Sequence, residues 1–249
     1  MMSERAVTGI TGLDKMLEGG IPRGRIIMIV GGPGTGKTIL STQFLVNGII
    51  NYDEPGIFVS LEEAKPHIYQ AMRRFKWDLS KLEKEGKFNF VDASPIRRSP
   101  AEVKIGKYTV GKRDFSMLGL INTIEQLAET TDAKRIVVDP LASLIYQYPN
   151  LNERRTAFLD LIESLTATGA ATLTTMESHH LGGIEREVIE EEYLAHGVIV
   201  LQRVKIGKSL VRVLQIRKMR MTAADDQPRP YKIDETGINV FAEESLFDQ

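Results

Sequence analysis

Residues 31 to 38 read Gly31-Gly32-Pro33-Gly34-Thr35-Gly36-Lys37-Thr38, the G-x-x-x-x-G-K-[ST] spacing of a phosphate-binding loop. Glycines let the main chain curl until successive N–H groups point inward at phosphate oxygens. A helix beginning at Thr38 would present its positive N-terminal end to the same anion. In that arrangement the stretch from Gly32 to Ile39 cradles the phosphates, Lys37 reaches the β and γ phosphates of ATP, and the Thr38 hydroxyl holds Mg²⁺. The other reading, a glycine-rich turn with a chance lysine, leaves the apolar run before the loop and the helical pattern after it unexplained.

Three carboxylates follow later strands. Asp139 ends Arg135-Ile-Val-Val-Asp139, and a carboxylate at the C-terminal end of a parallel strand faces the ligand crevice. There it can orient Mg²⁺ directly or through water. Glu62 and Glu63 follow the run Ile57 to Leu61. A carboxylate in that place can accept a hydrogen bond from a water aimed at the γ-phosphate. Two neighbouring acids on a solvated loop would look the same.

Short apolar runs alternating with helical patterns must position these groups, which predicts a mostly parallel sheet flanked by crossover helices. Strands are expected at 25–30, 56–61, 88–91, 135–139 and 170–175. Helices are expected at 38–50, 65–75, 118–129 and 152–166, the last opening on an Asn cap. Beyond residue 196 the runs 197–203, 209–218 and 239–242 have no helices between them, which predicts antiparallel strands added to the parallel core. The whole chain, 1–249, reads as one α/β domain with an N-terminal arm over 1–22 and an irregular basic loop over 94–114. The 32 basic and 33 acidic side chains leave a net charge of −1, so nucleic acid has no global electrostatic attraction to this chain. Without cysteine, disulfide scaffolds, thiolate zinc sites and cysteine nucleophiles are excluded. No apolar run is long enough for a membrane helix, and a cytoplasmic protein is expected.

Further segments carry a resemblance. Thr8-Gly-Ile-Thr-Gly-Leu-Asp14, Gly19-Gly-Ile-Pro-Arg-Gly24, Phe44-Leu-Val-Asn-Gly-Ile-Ile50, Asp53-Glu-Pro-Gly56, Trp77-Asp-Leu79, Asp92-Ala-Ser-Pro95 and Gly237-Ile-Asn239, together with the loop at 31–38, resemble the KaiC-like group of RecA-type P-loop ATPases. The match runs over nearly the whole chain. It implies a RecA-like fold, Mg-dependent ATP hydrolysis, and a homo-oligomer, a hexameric ring, with ATP between subunits. It implies that the Glu62-Glu63 pair activates water. It implies that Lys218 and Arg220, in Lys218-Met219-Arg220, reach the neighbouring subunit's nucleotide. Arg74, Met219, Thr222 and Glu235 complete the nucleotide contacts it suggests. Where the family often has glycine and histidine after that pair, this chain has Met221 and Ala224.

Three activities are compatible with such a chain: a slow ATPase acting as a nucleotide-controlled switch or scaffold, an accessory of DNA recombination or repair, and an autokinase. The autokinase lacks an obvious acceptor, since the resemblance places Glu192-Tyr193 where the family's kinase half carries a phosphorylated Ser-Thr pair. The DNA reading suffers from Leu141 to Asn152, which holds no Lys or Arg, and from an acidic later stretch holding Glu185, Glu187, Glu190, Glu191 and Glu192. A basic run over 97–113 (Arg97, Arg98, Lys104, Lys107, Lys112, Arg113, with Tyr108 and Phe115 nearby) could grip nucleic acid or an acidic protein partner; a solvated loop is the simpler reading. His179-His180 point apart on an extended chain and are not read as a metal site. Trp77 is expected to pack, and Tyr146, Tyr148 and Pro149 to line a subunit interface.

Overall fold

The computed structural model describes residues 4–93, 102–105, 108–145, 147–148, 150–177 and 188–246. Nine strands form the central sheet: β1 (Ile26–Gly31), β2 (Gly56–Ser60), β3 (Phe88–Asp92), β4 (Arg135–Asp139), β5 (Ala171–Glu177), β6 (Gly197–Ile206), β7 (Ser209–Met219), β8 (Arg229–Asp234) and β9 (Gly237–Val240). Their order is β9-β8-β7-β6-β1-β5-β4-β2-β3. From β6 to β3 every pairing is parallel, and from β6 to β9 every pairing is antiparallel. The α/β architecture expected from the sequence is therefore present.

Helices α1 (Lys37–Tyr52), α2 (Lys65–Met72), α3 (Leu79–Lys84), α4 (Lys112–Thr130) and α5 (Leu151–Ala167) cross between the parallel strands. One apolar cluster joins α1, α2 and α3 to one face of the sheet; a second joins α4 and α5 to the other. This is why β1, β2 and β4 are apolar without alternation: both of their faces are covered.

Several boundaries differ from the sequence expectation. α4 starts at Lys112 rather than 118, and a hairpin (Glu102–Ile105 with Tyr108–Gly111) occupies part of the stretch expected to be irregular. Val103 and Ile105 alternate with Glu102 and Lys104, the strand period that the basic residues obscured. Asn150, not Asn152, caps α5, its side chain accepting from Asn152 N at 2.8 Å. β8 was not anticipated because Pro230 disfavours a central strand; its pairing with β7 involves only Arg229 and Pro230. Residues 190–194 are helical, and Glu191 and Glu192 are buried rather than displayed on an acidic loop. Trp77 packs on Phe75 at 4.8 Å. Of the three residues expected at a subunit interface, Tyr148 is buried within this chain, and Tyr146 and Pro149 lie outside the described residues.

One buried cation ties the sheet to its surroundings. Arg135, at the start of β4, has no solvent exposure. Its Nε donates to Glu54 Oε2 at 2.6 Å, Nη1 to Phe44 O at 2.9 Å and Nη2 to Val7 O at 2.8 Å. The guanidinium lies over the Phe44 ring. It passes so close to α1 that a Cβ at Gly48 would stand 2.1 Å from Arg135 Nε. Arg135→Met keeps the volume but removes the donors. Arg23 still pairs with Glu54, yet the carbonyls of Val7 and Phe44 lose their partner. Urea denaturation should show a loss of roughly 3 kcal/mol.

Candidate nucleotide site

The C-terminal ends of the parallel strands meet along one edge, where Gly31 is in register with Glu177 and Ser60 with Asp139. Immediately after β1 the chain turns through Gly34 and Gly36, both at positive φ (68° and 99°), into α1. The turn is built around its neighbours. Tyr231 OH donates to Thr35 O at 2.5 Å, Arg203 Nη2 donates to Gly34 O at 2.8 Å, and Thr35 Oγ1 donates to Gly32 O at 2.8 Å. A Cβ at Gly36 would meet Ile233 Cδ1 at 2.8 Å. The antiparallel strands β6 and β8 thus support the loop from outside.

Beneath the loop lies the polar centre. Thr38 Oγ1 donates to Asp139 Oδ2 at 2.7 Å, and Thr175 Oγ1 donates to Asp139 Oδ1. Asp139 is 7% exposed. Burial pushes its carboxyl above the ordinary range, while the two hydroxyls and the Lys37 charge pull it back. Lys37 Nζ donates to Gly31 O at 2.8 Å and Gly32 O at 3.3 Å. Burial lowers its pKa; the fields of Glu177, Asp139 and Glu62 oppose that. An ammonium, a hydroxyl and a carboxylate therefore converge on one edge, and the oxygen pair of Thr38 and Asp139 suits a hard divalent cation such as Mg²⁺.

Glu62 follows β2 on the same edge, and its Oε1 accepts from Ser143 Oγ. Glu63 is exposed, and its carbonyl accepts from Ser60 Oγ at 2.6 Å. Only Glu62 is placed against Lys37 electrostatically, so the two glutamates are not equivalent. Arg74 and Glu235 are exposed; Glu235 pairs with Lys76 at 3.5 Å, where the turn after α2 meets the β8–β9 turn. Thr175, Ser143, Tyr231 and Arg203 were missed from the sequence. Each acts on a motif residue from a distant segment, and no local spacing marks it.

Lys218, Met219, Arg220 and Thr222 lie elsewhere. Met219 is in register with Gly197, and Gly197 with Ile27, so the group stands beside the beginning of β1, at the edge opposite the cradle. Lys218 Nζ donates to Glu192 O at 3.1 Å and Tyr193 O at 2.8 Å. Burial, then Arg220, lowers its pKa. Arg220 is exposed, and its backbone N donates to His196 O at 2.9 Å. Met219 is buried in the core, leaving only its main chain for any ligand. Met221 adopts φ 64°, a left-handed conformation that glycine takes at less cost. Arg97, Arg98, Lys107, His179, His180, Glu185 and Glu187 lie outside the described residues, as do the side chains of Lys104, Tyr108, Lys112, Arg113 and Phe115. At the cradle-distal edge a depression of about 920 Å³, lined by Arg23, Tyr52, Glu54 and Lys134 among others, shares no residue with the cradle.

Fold and site together define a P-loop nucleotide-binding α/β protein. Residues 6–245 match the family model described as ATPase: KaiC, and the chain belongs to that family. It is 36% identical to UPF0273 protein MJ1359 of Methanocaldococcus jannaschii over 98% of both chains. It is 38% identical to the circadian clock oscillator protein KaiC of Synechococcus elongatus over 94% of this chain but 43% of that one; the chain thus spans less than half the length of the clock protein. The crystal structure of the KaiC-like protein PH0186 from Pyrococcus horikoshii superposes with a TM-score of 0.79, at 34% identity, covering 96% of this chain and 99% of that one. Among the described residues no helix is long and apolar enough to cross a membrane.

His196 supplies a pH test of the cradle-distal edge. Its Nδ1 accepts from Ile26 N at 3.2 Å. Burial, then Arg25, Arg220 and Lys218, push its pKa from 6.5 down to about 4. As pH falls below 6.5 the unfolded ring takes up a proton while the folded ring stays neutral, so stability present above that pH is lost toward pH 4. His196→Asn, whose Oδ1 can replace Nδ1 as acceptor, should flatten the fall in Tm between pH 6.5 and 4.

Proposed function

We propose that the chain binds Mg–ATP in the cradle and hydrolyses it slowly, each site being completed by a neighbouring copy in a homo-oligomeric ring. The observation that carries the reading is the convergence of Lys37, the Thr38–Asp139 pair and Glu62 on one edge of the sheet. Main-chain N–H groups of the loop and the N-terminus of α1 receive the phosphates. Lys37, now on Gly31 and Gly32 carbonyls, turns to the phosphate oxygens. Thr38 and Asp139 would hold the cation, which when bound would neutralise charge on the phosphoryl group. Glu62, oriented by Ser143, holds the attacking water and accepts its proton.

The placement of Arg220 supports a second copy's involvement. β1 is six residues long, about 20 Å of extended chain, and it separates the Arg220 edge from the cradle. Too far from its own nucleotide, Arg220 is suited to that of the next subunit, where a cation delivered in trans stabilises the transition state. A ring of six copies is the arrangement the family resemblance suggests. Turnover linked to assembly would make the chain a nucleotide-controlled switch or scaffold for a protein partner.

Lys37→Ala should abolish phosphate release. Glu62→Gln should keep ATP binding while kcat falls about 100-fold or more; full activity in that variant would remove Glu62 from its role. Measured together, solution mass and phosphate release should both rise when Mg–ATP is added. A monomer that turns over fully would overturn the shared site. After incubation with γ-labelled ATP, site mapping should find no label at Tyr193, which leaves hydrolysis rather than self-phosphorylation as the outcome.

A further inference from the structure

Arg5 belongs to the N-terminal arm, on a two-residue strand paired with Ile21 and Pro22. Its guanidinium spends its donors on five acceptors. Nη1 donates to Leu17 O at 3.2 Å, Gly20 O at 3.0 Å and Thr222 Oγ1 at 3.0 Å; Nη2 donates to Met221 O at 3.0 Å and Glu18 Oε2 at 3.4 Å. The same Glu18 oxygen accepts from Ala223 N at 3.0 Å. A carbonyl, a hydroxyl and an amide from the consecutive residues 221, 222 and 223 are therefore held by one Arg–Glu pair. On the other flank, Arg220 N is bonded to His196 O, and His196 N to Ile26 O. Between these two anchors the Arg220 side chain stands exposed.

Backbone conformation points the same way. Glu18 has φ 52° and Met221 has φ 64°. Side chains other than glycine persist in that region only where surrounding contacts fix them. Both residues of the strained pair are partners of Arg5. A guanidinium presents its donors in a rigid planar fork, which a lysine ammonium cannot reproduce.

We propose that Arg5 and Glu18 are positioning residues for Arg220: they clamp the turn that carries it and so set the cation one copy offers to the nucleotide of the next. This rests on the trans role of Arg220 given above. Neither residue meets the reacting atoms. Thr222, expected among nucleotide contacts, serves as part of the clamp.

Arg5→Ala and Glu18→Ala should each lower kcat about 10- to 100-fold, the effect of misplacing a reacting group by about an ångström, with KM for ATP and solution mass unchanged. Arg5→Lys should recover part of the loss. Mixing Arg5→Ala chains with Glu62→Gln chains in the presence of Mg–ATP gives the decisive readout. In mixed assemblies an intact Lys37 and Glu62 of the first chain face the intact clamp of the second. Phosphate release should exceed the mean of the two variants alone; release at or below that mean overturns the proposal. Should Arg5→Ala fail to fold, Glu18→Ala, altered on a half-exposed side chain, carries the same test. Arg220→Ala is measured in parallel. Full turnover there removes the trans role itself, whereas loss there with full turnover in Arg5→Ala and Glu18→Ala removes the clamp alone.

Discussion

A carboxylate drawn almost wholly out of water organises this molecule. Asp139 is tolerated at the end of β4 because Thr38 and Thr175 donate to its two oxygens and Lys37 lies close by. Burying a charge without such partners would push the group to neutrality. With them, that upward push is opposed, in a carboxylate that lies beside the glycine-rich loop. β1, β4 and β5 must be adjacent for this to happen, and the strand order places β5 between the other two. The parallel topology is thus a requirement of the site, since only parallel neighbours end together.

The same topology gives the sheet two chemically distinct edges. Strand C-termini collect Lys37, Glu62, Asp139 and Glu177. The opposite edge collects Arg25, His196, Lys218 and Arg220; burial first, then the neighbouring cations, lower the pKa of His196 and Lys218. That opposite edge also carries acids, Glu54, Glu125, Glu129 and Asp132 among them, lining the depression there.

Much of this was legible in the residues. The loop from Gly31 to Thr38 declares itself by glycine spacing, and Asp139 by its place after an unbroken apolar run. The parallel core followed from β1, β2 and β4, each too uniformly apolar to have a wet face. What escaped depends on contacts between segments far apart in sequence. Ser143 reaches Glu62 and Tyr231 reaches Thr35, and neither residue belongs to a motif. β8 was hidden by Pro230. Residues 190–194 looked like exposed acid because three glutamates in a row suggest solvent, whereas Glu191 and Glu192 are covered by tertiary packing. Lys218 and Arg220 were identified by resemblance alone; on pattern they would pass for the outward face of a strand.

Gly48 and Arg135, eighty-seven positions apart, occupy one another's space. The guanidinium fills the volume in which position 48 would otherwise carry a methyl group, so position 48 cannot gain a side chain while arginine stands at 135. Alanine at 48 becomes admissible once a short side chain stands at 135, and arginine at 135 demands a bare α-carbon opposite. Among relatives a side chain at 48 should therefore appear only where 135 is not arginine, a signature of inheritance written by steric exclusion rather than by catalysis.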